Sequence, residues 1–302
     1  MTEVKNSATL EAFLKKRKEW FDAYDATRPE PNSIERQIHL MVFSEMSHRV
    51  LISEQRDQQN NEVPAIPILS YVLDLAYYGS QILAIRRLLD KSDDVYSLRN
   101  ILDDVKAHKK LITREIYVSF DGTPYDIKPF DLSIQGLQPV DPPFTAQSKC
   151  RMRHEQFDSL SKVNSSARSR TDKIHASIFN RLEKWLSVSG AAKLRVISNK
   201  YLAHAANPQS RGKLAPSGLD FKDVEAAQRA IIRVTRAIYN ILLLSGVYSP
   251  VVTMHPLGYF GAVWDERLKS MIASTARMQA SWDVLEKERN KWAFGIDDEL
   301  FK

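Results

Sequence analysis

At 302 residues, 43% apolar and 26% charged, the chain holds enough material for a large packed core and too much apolar content for a disordered protein. Lysine and arginine number 43 against 37 acidic residues, a formal charge of +6 that suits a polyanionic partner without requiring one. The single cysteine, Cys150, excludes an intramolecular disulfide and every cysteine-based zinc site, and fits a cytoplasmic chain.

Helical patterning runs from end to end. Residues 8–25 place Leu10, Phe13, Leu14, Phe21 and Tyr24 on one side of a helix, with the basic run Lys15 to Lys18 wrapped around it as a solvated face. No apolar run of the kind found in a secretory leader follows these charges. Asn32 or Ser33 caps a second helix with Glu35 in its first turn and Ile34, Ile38, Met41, Glu45, His48 and Ile52 at three- and four-residue steps. A third, from about 68 to 90, is apolar nearly all round and ends in Arg86, Arg87 and Asp90. The stretch 66–85 is long enough to span a membrane, but it carries Pro67, Asp74 and Gln81, so a helix buried in protein is expected, with no membrane partner.

Ser97 is expected to cap a fourth helix carrying Leu98, Ile101, Leu102, Val105, Ile112 and Ile116. Residues 119–149 break the pattern, with Asp121-Gly122, five prolines and no helical period; 117–120 and 125–127 are positioned for a short hairpin within a long irregular connection. Helicity returns over about 152–188, with Ile174, Ile178, Leu182 and Trp185 on one face, and breaks at Ser189-Gly190. A short helix over 191–206 stops at Asn207-Pro208. Asp220 is expected to cap a helix through Leu244, whose one side carries Val224, Ala227, Ile231, Val234, Ile238 and Ile241. Another side carries Arg229, Arg233 and Arg236, which fit an RNA backbone and a plain solvated face equally well. After a Pro/Gly break at 250–258, Trp264, Leu268, Met271, Thr275, Met278, Trp282, Leu285, Arg289 and Trp292 repeat with 4-3 spacing, the seam of a helix packed lengthwise on a partner in this chain or another.

The common enzyme signatures are missing: there is no GxGxxG, GxSxG or HExxH, and Arg211-Gly212-Lys213-Leu214 lacks the rest of a phosphate-binding loop. No cofactor is expected. Glu45-x-x-His48 and Asp172-x-x-His175 echo the Glu-x-x-His pairs of di-iron bundles, but one has Asp and no matching lone glutamates stand out, so hydrogen-bonded histidines are expected and no metal. Arg87 and Asp90 read either as a polar lining near the helix of His204 or as a salt bridge closing a core helix.

The segment from Ser198 to His204 puts a histidine near a helix C-terminus, where the macrodipole favours its protonated form, with Ala203, Ala205 and Ala206 leaving room for close approach. On residue type alone, a capping histidine accounts for it. The segment also resembles the signature of HEPN-domain proteins, an arginine followed after four to six residues by histidine. Ile82 to Asp90 with Ser97 to Leu102, and Thr113-Arg114-Glu115 with Asp121 to Asp126, resemble the abortive-infection (AbiU-type) branch of that superfamily, over roughly residues 33–245.

The resemblance implies an all-α fold: a HEPN-like antiparallel helical bundle over 1–257, with the core at about 33–245 and the irregular insertion within it, followed by an extra packing helix over 258–302. It implies a homodimer with a metal-independent RNA-cleavage site at the dimer groove, a setting in prokaryotic phage defence or toxin–antitoxin function, and an antitoxin or other partner protein. Its histidine handles protons at the 2′-hydroxyl or leaving oxygen, and its arginine stabilises the phosphorane. The positions where that arginine belongs hold Asn199, Ser198 and Ile197. Arg195 is nine residues before His204, about 180° round the helix. Lys200, one turn before His204, offers a charge without the planar fork, and Asn199 offers a hydrogen bond. The alternative is an inactive HEPN scaffold that binds a partner protein or nucleotide, with the seam around Trp264, Trp282 and Trp292 as the docking surface.

Overall fold

The computed structural model describes residues 2–25, 32–60, 67–126, 145–198, 221–244 and 272–302, and 209 singly. The fold is all-α. Among the described residues the only extended pairing is a bridge between Thr113 and Lys173, and no helix is long and apolar enough to cross a membrane.

The helices are α1 Thr2–Tyr24, α2 Ile34–Asn60, α3 Pro67–Leu88, α4 Leu98–Ala107, α5 Arg114–Ser119, α6 Ala146–Ser161, α7 Ala176–Val188, α8 Ala191–Ile197, α9 Phe221–Arg236, α10 Ile272–Ala293 and α11 Ile296–Phe301. The last turns after α9, Ala237–Leu242, widen into a π-helix. The α2 and α3 helices run antiparallel, as the pairs Ser44–Ser80 and His48–Asp74 require, and α8 and α9 lie against α3.

The apolar stripes read from the sequence form the core. Ile34, Ile38, Met41 and Met46 of α2, Ile82, Ile85 and Leu88 of α3, and Val224, Ile231, Val234 and Ile238 of the α9 rod are all buried. Burial of each such side chain contributes on the order of 1.5–3 kcal/mol before chain entropy is counted. A buried polar chain crosses the apolar layers: Gln228 Nε2 donates to Gln81 Oε1 at 2.7 Å, and Gln81 Nε2 donates to the Met41 carbonyl at 3.0 Å. Those bonds fix the register of α2, α3 and α9.

Five expectations change. Residues 117–119 do not begin a hairpin; they end α5. Thr113 caps that helix by accepting from the Ile116 N–H, so local capping outweighs the β-preference of Tyr117 and Val118. The same new cap splits the helix expected over 98–116 into α4, a 3₁₀ turn at Lys109–Leu111 and α5. The helix expected over 152–188 is broken at Lys162, which takes a left-handed conformation (φ 60°), and restarts after His175. Ile174 is nonetheless buried beside Ile178 and Leu182. On α1, Leu14 is partly exposed while Trp20 is in the core. Within the basic run Arg17 is not a solvated charge: its guanidinium lies over the Phe21 and Phe120 rings at 4.5 and 4.6 Å and donates to the Leu243 and Leu244 carbonyls. Those are end-of-helix carbonyls without intrahelical partners.

The C-terminal seam is satisfied within the chain. Trp282 and Trp292 are buried and α10 packs on α2 and α9, with Phe43 against Trp282, so these two tryptophans are not a free docking surface. Trp264, Leu268 and the break at 250–258 lie outside the described residues, as does Asp220.

Ser97 caps α4 as expected. Its hydroxyl accepts from the Asn100 N–H at 3.0 Å and donates to the Asp90 carbonyl at 2.6 Å, tying α4 to the end of α3. Ser97→Ala is expected to cost about 1 kcal/mol in urea unfolding with no change in m-value.

Candidate functional site

His204, Asn199 and Lys200 lie outside the described residues. What is described is the chain that leads to them. Gly190, at φ +76°, turns the chain between α7 and α8. Along α8, Ala191, Leu194 and Ile197 are buried, as is Ser198 just beyond it, and the helix packs against α3, α7 and α9.

Arg87 is exposed, and among the described residues it forms no ion pair. Asp90 instead organises the turn after α3: its carboxylate accepts from the Ser92 N–H at 3.0 Å and its carbonyl takes the Ser97 hydroxyl. The Ser92 hydrogen bonds hold the Asp90 carboxyl below the usual aspartate range. Neither a salt bridge to Arg87 nor a shared lining is formed among these residues.

The arginine stripe on α9 is engaged by the C-terminal segment. Arg229 pairs with Glu225 at 2.9 Å and lies over Trp292 at 5.2 Å. Arg233 grips both Glu299 oxygens of α11, at 2.7 and 3.1 Å. Arg236 lies over Phe294 at 5.2 Å. Part of the stripe still borders an open groove of ≈ 360 Å³ lined by Trp185, Lys222, Glu225, Arg229 and Arg233 among others.

The histidines of the Glu/Asp-x-x-His pairs are hydrogen-bonded. His48 Nε2 is hydrogen-bonded to Asp74 Oδ1 at 2.8 Å, and the ring stacks on Tyr77. Glu45 is bound by Arg289, and Asp172 by Arg114. His175 caps α7. Among the described residues no group of three or more His, Cys, Asp or Glu side chains is placed to hold a metal ion.

The densest polar cluster lies where sequence reading assigned no site residue. Arg114 is fully buried between α5 and α6. Its Nε donates to Asp172 at 2.8 Å and its Nη1 to Asp158 at 2.7 Å; further bonds reach the His154 carbonyl and the Ser161 hydroxyl. Arg168 clamps Asp158 from the solvent side. Burial alone would raise the Asp158 pKa, but the hydrogen bonds from Arg168 and Arg114 outweigh it and hold the carboxyl below its ordinary value. One turn outward, Arg153 takes both Asp121 oxygens at 2.7 Å and holds that carboxyl well below the usual range. Arg170 joins Glu115 to Asp126 and covers the Tyr125 ring at 4.2 Å.

The two blocks Thr113-Arg114-Glu115 and Asp121 to Asp126 thus meet in one network with α6 and the 162–175 loop. The signal missed in the sequence was the partner set, since Asp158, Arg168 and Asp172 are 44 or more residues from Arg114. Every guanidinium here is matched by carboxylate, so the cluster fixes loops and offers no unpaired base or nucleophile.

Beside it, His154 Nε2 and Cys150 Sγ both donate to the Tyr125 carbonyl, at 3.1 and 3.2 Å, while His154 Nδ1 is buried without a partner. Burial lowers the His154 pKa below the usual imidazole value. The unfolded chain therefore binds a proton that the native state refuses, so stability falls as pH drops below about 6.5 toward the native pKa. His154→Gln keeps a donor for the Tyr125 carbonyl. It is expected to flatten that part of the pH–stability curve in urea titrations; an unchanged slope contradicts the assignment.

Comparison with family models, with curated proteins and with solved structures finds no match to this chain.

Proposed function

We propose that this chain is a HEPN-type helical protein that binds RNA and cleaves it without metal, with His204 as the proton-handling group. The observation that supports the reading is the anchoring of α8. The chain enters the segment from Asn199 to His204 from Ser198, a residue fixed in the core between α3, α7 and α9. A cleavage site needs that kind of rigid support, because small misplacement of a catalytic group costs orders of magnitude in rate.

In the proposed reaction His204 takes the proton of a 2′-hydroxyl, whose oxygen attacks the adjacent phosphorus and expels the 5′-oxygen, which takes a proton from water and leaves as a 5′-hydroxyl beside a 2′,3′-cyclic phosphate. Lys200 balances the phosphorane charge in place of the absent arginine, and Asn199 donates a hydrogen bond to a phosphate oxygen. The setting proposed is prokaryotic phage defence or a toxin–antitoxin pair.

A second reading, an inactive HEPN scaffold that binds a partner protein, is favoured by two observations. The motif arginine is absent, and Arg229, Arg233 and Arg236 are engaged within the chain. Incubating purified wild type, His204→Ala and Lys200→Ala with RNA in EDTA separates the two. Cleavage by wild type that falls roughly 100-fold or more in His204→Ala supports the nuclease. Equal cleavage by wild type and His204→Ala, or cleavage abolished by EDTA, overturns it. No cleavage by any of the three supports the scaffold.

A further inference from the structure

A second groove, of ≈ 530 Å³, is open between α7, the turn after α3, the first turn of α4 and the start of α8. One face of α7 forms its long wall: Asn180, Glu183, Lys184 and Ser187 recur at three- and four-residue steps, about 10 Å along the axis. Leu89, Leu186 and Ala191 give it an aliphatic floor, and no aromatic side chain is among the lining residues. Three cations, Lys91, Arg99 and Lys184, line it against one carboxylate, Glu183, a surplus of two positive charges. Two of these four charges are already matched. Arg99 holds Asp103 through Nε and Nη2 at 2.8 and 2.7 Å. Lys106 donates to Glu183 at 2.6 Å, and that bond, with the fields of Arg99 and Lys91, keeps the carboxyl below the usual glutamate range and therefore ionised. Lys91 and Lys184 are exposed and form no ion pair among the described residues. Asp90, Asp93 and Asp94 belong to the same turn as Lys91 but not to the lining, and the Asp90 carboxylate accepts from the Ser92 N–H.

We propose that this groove binds an aliphatic carboxylate of medium chain length, with its head between Lys91 and Lys184 and its chain over Leu89, Leu186 and Ala191. The volume is in the range of small-molecule sites, and an apolar floor with a few convergent polar groups is their usual make-up. The unmatched ammonium groups call for an anionic head. A carboxylate suits them better than a phosphate, because the one guanidinium in the lining has its fork occupied by Asp103. The aliphatic floor selects the body of the ligand, since a nucleobase or other flat ring finds nothing to stack on. A ligand there touches α7, the turn after α3 and Ala191 at the start of α8, so it ties three elements together. The inference rests on this groove alone and stands or falls independently of His204.

Isothermal titration of the full chain with octanoate, decanoate, octanol, adenosine monophosphate and inorganic phosphate tests it. Decanoate is expected to bind with a stoichiometry near one, roughly tenfold tighter than octanoate for its two extra methylenes. Octanol is expected to bind more weakly than octanoate for want of the charge. Lys91→Glu combined with Lys184→Glu is expected to weaken decanoate by roughly 30-fold or more with Tm unchanged, because both positions are exposed. Hydrogen exchange with decanoate bound is expected to slow over 89–99 and 180–191. No binding by ~5 mM decanoate overturns the proposal. Equal affinity in wild type and the double variant overturns it as well, by placing the ligand on another apolar surface. Octanol binding as tightly as octanoate would remove the anionic head, and tighter binding of adenosine monophosphate or inorganic phosphate would make the site one for phosphate.

Discussion

Arg289→Ala is expected to destabilise the chain by about 3–5 kcal/mol, the largest effect of any single polar truncation in this molecule. Arg289 and Glu45 are both fully buried, and their bonds, Nε to Oε2 at 2.9 Å and Nη2 to Oε1 at 2.6 Å, form a bidentate fork between α10 and α2. The Trp292 ring lies 4.2 Å from the guanidinium carbon and leaves little room for water to replace it. Removing the arginine leaves a carboxylate in the core with Arg49 as its one cationic partner among the described residues. The pair itself stabilises far less than that loss suggests, since two charges were desolvated to make it. Replacing both partners, Glu45→Met with Arg289→Met, is therefore expected to fall within about 1.5 kcal/mol of wild type. Urea unfolding of the two single variants and the double variant measures both numbers. A double variant as unstable as the singles would mean that packing around the pair, not stranded charge, sets the cost.

Arg114→Met is expected to cost about 3 kcal/mol and to loosen the 162–175 loop selectively. Arg114 touches α6 through Asp158, His154 and Ser161 and the returning loop through Asp172. Its loss leaves Asp172 without a cationic partner among the described residues, while Asp158 keeps Arg168. Hydrogen exchange should quicken first at the backbone bonds from Arg114 N–H to the Asp172 carbonyl and from Glu115 N–H to the Arg170 carbonyl. Uniform quickening across the bundle instead would show that the residue supports the whole core.

The two sites mark where the sequence could be read and where it could not. Helix existence followed from periodicity: the 4-3 spacing of Trp282, Arg289 and Trp292 placed all three on the buried side of α10, because 3.6 residues per turn leaves little choice. Caps were equally legible, since their chemistry is local: Ser97 was read directly, and of the two candidates Asn32 and Ser33 it is Ser33 that accepts from the Arg36 N–H. Long-range pairing was not. Glu45 stood out beside His48 as a metal-ligand pattern, whereas its partner is 244 residues away, and nothing in either local sequence names the other. The α9 arginines show the same limit. Their period put them on one face, but only the tertiary fold reveals that Glu299, Trp292 and Phe294 cover it. The hairpin expectation failed for a local reason, as β-branched and aromatic residues after a good cap were read by propensity when the cap decides.

The proposed function requires that His204 serve an RNA-cleaving site that uses the substrate's own 2′-hydroxyl. The most direct measurement is single-turnover cleavage in EDTA of an RNA oligonucleotide and of the same oligonucleotide with a 2′-deoxy nucleotide at the cut position. A cut RNA bearing a 2′,3′-cyclic phosphate is expected, with no cut in the deoxy substrate and no cut of either substrate by His204→Ala. Equal cleavage of the two substrates, or cleavage by His204→Ala at the wild-type rate, would contradict it.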